Sequence, residues 1–369
     1  MAELFKNIYN KEFFNAFTNV IQQIESDFDK TSFLKNIYDD EWENKELKQR
    51  MRHITVVLKN HLHKDFDKNA VTILNLIPQL EKSGFKPDNL EFIFLPDFIE
   101  VFGMENYDLS IKAFEQITQF VSCEFAVRPF IIAYKKEMMG QMLSWSKHKH
   151  PMVRRLSSEG CRPRLPWAMA ITSLKNSPKP ILPILENLKD DTSESVRRSV
   201  ANNLNDISKD NPDVVIHLAK KWQGITLETD WLIKHACRTL LKQGNPEVMQ
   251  LFGFGSITEI NIEGFQIFNP KVKIGEYVKF RFKLINTSDS KTKIRLEYGL
   301  YYQKANGSLS KKVFKISERE YPENSTKTIE RKQSFKVITT RKFHLGKHQL
   351  AIIINGNEFE KYDFELVET

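Results

Sequence analysis

Three carboxylates and an indole stand where side chains could do chemistry. Glu159 sits in the last turn of the helix predicted over Val153-Arg154-Arg155-Leu156-Ser157-Ser158-Glu159, just ahead of Gly160 and Pro163. A negative charge there opposes the helix dipole at a cost of a few tenths to about 1 kcal/mol. Arg154, Arg155, Arg162 and Arg164 surround it in sequence and can offset that cost. Glu124, followed by Phe125, closes the long helix expected over residues 107–127, again a carboxylate near a helix C-terminus, and two such placements suggest a pocket. The helix that begins after Asp191-Thr192-Ser193 buries Val196, Val200, Leu204 and Ile207, which leaves Ser199, Asn203 and Asp206 on a separate polar face and turns Asp206 away from the core. Trp167 lies in Cys161-Arg162-Pro163-Arg164-Leu165-Pro166-Trp167, where prolines and arginines favour a rim position. An indole there can stack on a base or cover a cation for roughly 0.5 to 2 kcal/mol. Carboxylates and an indole inside a basic segment suit a cationic group embedded in a polyanion. Each residue also has a plainer reading: an ion pair for Glu159, a solvated carboxylate for Asp206, core packing for Trp167.

The elements that must position these residues are helical. Val153 to Gly160 is answered 43 residues later by Val196-Arg197-Arg198-Ser199-Val200-Ala201-Asn202-Asn203, a period in the range of HEAT-like helical pairs. From Glu12 to about Leu251 apolar residues recur at helical spacing, as in residues 45–61 with Leu47, Met51, Ile54, Val57 and Leu58. Prolines after polar residues, at Pro151, Pro178, Pro212 and Pro246, suit helix starts. Residues 231–241 read as a further repeat element.

The period changes to two beyond Gly253. Val278, Phe280, Phe282 and Leu284 alternate with Lys279, Arg281 and Lys283, and Ile294 to Tyr302 alternate with Lys293, Arg295 and Glu297. Asn306-Gly307 and Asn355-Gly356 fall between such runs, as type I′ hairpin turns require. About seven strands are expected, in an immunoglobulin-like sandwich. The predicted architecture is therefore an α-solenoid over residues 1–252 and a separate β domain over residues 256–369.

Composition narrows the function classes. With 369 residues, 41% hydrophobic and 28% charged, the chain can bury a core in two domains. Cys123, Cys161 and Cys237 lack paired spacing, so neither a disulfide framework nor a zinc site is expected, and no cofactor is called for. No run approaches the roughly 18 apolar residues of a membrane span, and the N-terminus lacks an apolar leader, so a cytosolic protein without membrane contact is expected. The net charge of +8 is concentrated: residues 128–189 hold twelve Lys/Arg against three Glu, and residues from 251 onward hold 21 against 14 Asp/Glu. A basic strip on a solenoid is the footprint of a polyanion partner, nucleic acid first among them. A solvated lysine-rich face is the alternative.

Residues 159–168, residues 191–206 and the later Asp230–Gly244 segment resemble the DNA alkylation-repair glycosylases of HEAT-like fold, in the AlkC branch and the subtype with a C-terminal immunoglobulin-like domain. The resemblance implies a monofunctional, metal-free glycosylase that excises cationic N3-alkylated bases, 3-methyladenine and also 3-methylcytosine, from double-stranded DNA as a monomer. It places Glu124, Glu159, Trp167 and Asp206 at the active site with Phe125 beside them. Arg154, Arg155, Arg162, Arg164 and Arg198, with Lys279, Arg281 and Lys283 of the sandwich, are the expected DNA contacts. The Trp-x-x-x-Asp arrangement of the AlkD branch does not follow Trp167, so AlkD roles are not carried over. A non-catalytic HEAT scaffold that binds nucleic acid or protein is the competing reading.

Overall fold

Residues 4–337 and 342–368 are described by the computed structural model. The chain divides into two compact units, Met1–Val215 with Lys221–Ala236, and Ile216–Lys220 with Cys237–Thr369. The first is a stack of helices. Its stripes are buried as the periodicity predicts: Met51, Ile54, Val57 and Leu58 on Leu47–Asn60, and Val196, Val200, Leu204 and Ile207 on Glu194–Ile207. The repeated segments form the helices Pro151–Glu159 and Glu194–Ile207, which pack together and are tied by Asn203 Nδ2 donating to the Ser158 carbonyl at 2.7 Å. Pro151 and Pro246 both open helices, where a missing N–H costs nothing.

Two helices differ from the expected ones. The segment expected as one helix over residues 107–127 is the shorter Tyr107–Ile117, then a run of turns, then Val127–Ala133. Pro129 falls in the first turn of the second helix, where its ring is tolerated. Glu124 sits in a turn, not at a helix end. The element read over 231–241 is divided at Cys237 into Leu227–Ala236 and Arg238–Gln243.

The second unit holds an immunoglobulin-like sandwich: β1 (Ile260–Ile267), β2 (Lys271–Lys273), β3 (Tyr277–Asn286), β4 (Thr292–Gln303), β5 (Leu309–Tyr321), β6 (Ser325–Ser334), β7 (Gly346–Ile354) and β8 (Asn357–Val367). One sheet has the order β1-β3-β6 and the other β2-β8-β7-β4-β5, antiparallel except for the β2–β8 pair. Val278, Phe280, Phe282 and Leu284 from the first sheet and Ile294, Leu296, Tyr298 and Leu300 from the second fill the space between them. Asn355 and Gly356 have φ of 46° and 82°, as a type I′ turn between β7 and β8 needs. At Asn306-Gly307 only the glycine has positive φ, and Gly307 N–H donates to Lys304 while Lys304 N–H donates to Ser308, so that hairpin closes by a longer loop with a left-handed glycine.

The helices Arg238–Gln243 and Pro246–Leu251, expected in the solenoid, belong to the sandwich unit. A close backbone approach accounts for this. A Cβ on Gly356 would lie 2.4 Å from the Gly244 Cα, while Lys293 Nζ donates to the Phe252 carbonyl at 2.8 Å. Among the described residues no helix is long and apolar enough to cross a membrane.

Candidate active site

Asp206 is buried, 2% exposed, rather than solvated on a polar face. Ser199, Asn203 and Asp206 do share one side of Glu194–Ile207, but Ser199 and Asn203 are buried with it. Burying a carboxylate requires partners, and they come from the turn after Pro151–Glu159. Arg162, 6% exposed, donates from Nε to Asp206 Oδ2 at 2.8 Å and from Nη1 to Glu159 Oε1 at 2.6 Å. Burial works against the guanidinium's charge, but Glu159 and Asp206 outweigh it and hold its pKa above the ordinary arginine value. Lys209 reaches the other Asp206 oxygen at 3.0 Å.

Arg155 extends this network to the third carboxylate. Its Nη1 lies 2.9 Å from Glu124 Oε2, and Ser122 Oγ donates to the same oxygen at 2.8 Å. Arg155 Nη2 is also 4.0 Å from Glu159 Oε1. Glu124 and Glu159 line a cleft of about 380 Å³ together with Phe125, Trp167, Leu165 and Asp88. Asp206 does not line it; it meets the cleft through Arg162, which does. Trp167 is 63% exposed at the rim, so it is not core packing, unlike Trp145 and Trp222.

The arm from Gly160 to Ile171 that carries Arg162 and Trp167 is held by its own carbonyls. Arg128, fully buried and without a carboxylate contact, donates to the carbonyls of Gly160, Arg162 and Met169 at 2.8–3.0 Å, the Met169 oxygen being shared with its second terminal nitrogen. Burial pushes its pKa down to about 10. Gly160 is glycine for space: a Cβ there would fall 2.6 Å from Val127 Cγ2. In sequence Arg128 counts only as one more positive charge, and nothing local marks it as the arm's anchor. Asp88 and Lys48 carry no sequence signal for the site either.

The arginines expected to contact DNA are differently placed. Arg162 is buried on carboxylates and cannot present itself to a phosphate, which corrects the expectation for that residue. Arg154 makes a two-pronged pair with Asp191 at 2.6 and 2.9 Å, and Arg164 one with Asp210 at 2.8 and 2.6 Å. Arg155 and Arg198 line a polar hollow of about 500 Å³ with Ser193, Ser195, Ser199 and Asn202, beside Glu159. Arg198 is exposed and paired to Glu194 at 2.6 Å. Lys279, Arg281 and Lys283 all point outward from β3, whereas Arg295, expected on an exposed face, is buried between Glu297 and Glu318. The three cysteines are buried free thiols, and burial pushes Cys161 and Cys237 up to about 12 and Cys123 well above its ordinary value.

A helical-repeat unit with carboxylates clamped at a cleft, joined to an immunoglobulin-like sandwich, is the build of the HEAT-like DNA alkylation-repair proteins. The chain belongs to the AlkC branch of that family, in its subtype with a C-terminal immunoglobulin-like domain. The structure of Pseudomonas fluorescens alkylpurine DNA glycosylase AlkC bound to DNA containing an abasic site analog is similar, with a TM-score of 0.92, 31% identity, and coverage of 99% of this chain and 100% of that one. The uncharacterized protein YhaZ of Bacillus subtilis (strain 168) is 42% identical over 366 residues, 99% of this chain and 100% of YhaZ. Residues 261–368 match the C-terminal immunoglobulin-like domain described for YhaZ, and residues 181–210 match the HEAT repeat.

Proposed function

We propose that the protein is a DNA glycosylase that hydrolyses the N-glycosidic bond of cationic N3-alkylated bases, 3-methyladenine and 3-methylcytosine, in double-stranded DNA. The observation that carries this is the cleft itself, where Glu124 and Glu159 face Phe125 and Trp167. An N3-alkylated base is already positive, so it leaves without a strong general acid. The C1′–N bond breaks, its electron pair neutralises the departing base, and positive charge passes to an oxocarbenium-like sugar. Water then bonds to C1′ and gives its proton to a carboxylate or to solvent. Glu124 and Glu159 suit both tasks, and Asp206 acts through Arg162 to keep Glu159 in place. Preorganised charge of this kind is worth about 2.7 to 4 kcal/mol per contributor. Arg155 and Arg198 are the candidates for backbone phosphates, at the polar hollow beside Glu159. The likeness over the whole chain to AlkC, which was captured on abasic DNA, supports the same reading.

The test is base release. Purified protein is expected to liberate 3-methyladenine from methylated duplex DNA in the presence of EDTA, because a cationic leaving group needs no Lewis acid. Chromatography of the soluble fraction measures it. Activity abolished by chelator and restored by zinc or magnesium would overturn the proposed chemistry, and DNA binding without release would favour the non-catalytic scaffold.

A further inference from the structure

Four non-glycine residues among those described have positive φ: Asp88, Trp167, Asn324 and Asn355. Asparagine adopts that region readily in turns; a bulky side chain does not. Trp167, with φ of 65°, is therefore a backbone outlier, and it lies at the cleft. Such strain persists only where the surroundings over-determine it, yet the indole is 63% exposed, and its one aromatic neighbour among the described residues is the exposed Phe5, edge-on at 6.4 Å. Packing does not hold Trp167.

A distant cation does. Lys48 Nζ donates to the Trp167 carbonyl at 2.7 Å across 119 residues of sequence. The same ammonium stands 5.1 Å from the centre of the Phe125 ring, a favourable cation–π distance. Phe125 is the wall shared by the cleft and a neighbouring hollow of about 570 Å³ that Lys48 lines on the other side. One ammonium thus fixes both aromatic residues of the cleft from outside it. Lys48 belongs to the first turn of Leu47–Asn60, whose start is fixed by reciprocal capping between Glu46 and Gln49. A cation in a first turn opposes the helix dipole, so local helix stability does not account for a lysine here.

We propose that Lys48 is a positioning residue: it holds Trp167 in its strained conformation and Phe125 against the cleft, so that both rings are set before a cationic base arrives. The functional part rests on the glycosylase reading; the conformational part does not. Lys48→Met keeps the aliphatic stem and removes the ammonium, and because Lys48 is exposed the fold is retained. At saturating enzyme, K48M is expected to lower single-turnover release of 3-methyladenine about tenfold with less than a twofold change in the dissociation constant for intact DNA, and K48R to recover at least half of the rate. In a Trp167→Ala, Phe125→Ala background, K48M should cost less than twofold further, since Lys48 acts through the two rings that are gone. A full tenfold loss in that background overturns the proposal, and so does a loss confined to the dissociation constant for intact DNA, which makes Lys48 a phosphate contact.

A second measurement needs no DNA. Trp42, Trp145 and Trp222 are buried, so in a Trp231→Phe background the acrylamide-quenchable emission belongs to Trp167. K48M should at least double the fast component of its anisotropy decay. No change there refutes the positioning role whatever the enzyme does. Absence of base release by the wild-type protein, with the anisotropy effect present, refutes the glycosylase reading alone.

Discussion

Arg162 stands between two carboxylates, Glu159 and Asp206, and fixes both in the interior. Glu159 is the one that reaches the cleft, and its burial keeps its charge out of water, where it acts on a developing cation more strongly than it would in solution. Glu159→Gln and Asp206→Asn are each expected to slow single-turnover excision tenfold or more while DNA affinity stays within about twofold, the pattern of groups that act in the transition state. Each also leaves Arg162 half-paired in the interior, and breaking a buried pair costs about 3–5 kcal/mol of stability. Rates must therefore be compared below both unfolding midpoints; wild-type rates for both variants would remove the carboxylates from the chemistry. Trp167→Ala tests a different contribution. An indole over a cationic base gains energy that a neutral base does not supply, so the variant should lose affinity for methylated DNA more than for intact DNA, read by competition binding. Equal losses on both would assign Trp167 to the fold.

Elements succeed or fail here according to whether one local rule decides them. The stripe Val196, Val200, Leu204 and Ile207 and the alternation Val278, Phe280, Phe282, Leu284 each have a single periodicity, and both are buried as read. Asp206 lies outside that logic, because a polar face says nothing of what packs on it, and the partner that buries it, Arg162, comes from 44 residues away. Arg295 is the same case in β4, where two glutamates take the charge inside. Beyond Ile117 the apolar period misleads, because Phe120 and Val121 are buried from a run of turns and not from a helix. The sandwich offers a pH test at this scale. His348 is fully buried among Tyr302, Phe335 and Phe364, and its Nδ1–H faces the Gly346 carbonyl at 3.0 Å. Burial lowers its pKa, so below the ordinary histidine value of about 6.5 the unfolded chain binds a proton that the folded one refuses. Its contribution is complete above that value and is lost as pH falls toward the depressed folded pKa. Thermal unfolding of the full chain between pH 7.5 and 5 should show a smaller drop in Tm for His348→Phe than for the wild type; identical drops would clear His348 of the effect.

For the whole molecule, the open question is what the sandwich adds to a helical unit that already holds every cleft residue. Its outward row on β3, Lys279, Arg281 and Lys283, is only partly balanced within the sheet. Lys279 lies directly opposite Lys332 of β6, a like-charge pair that weakens a strand pair, while Arg281 is compensated by Glu330 opposite and the Phe268 ring at 5.3 Å, and Lys283 by Glu263 of β1 opposite. A polyanion along this face would turn the Lys279–Lys332 repulsion into attraction, and the phosphate backbone is the polyanion that the helical unit implies. Cutting the chain near residue 256 would not test this cleanly, since the helices at 238–251 fold with the sandwich and would lose their partners. Neutralising the row in the full chain, with Lys279→Gln, Arg281→Gln and Lys283→Gln together, keeps both units intact. If all three grip phosphates, the slope of log K against log salt should become shallower by about 2.7, nearly one per contact. Base release at saturating enzyme should survive, because Glu124, Glu159 and Asp206 all belong to the other unit. An unchanged slope, measured by fluorescence anisotropy from 50 to 200 mM salt, would return the basic row to solubility and leave DNA binding to the helical unit alone.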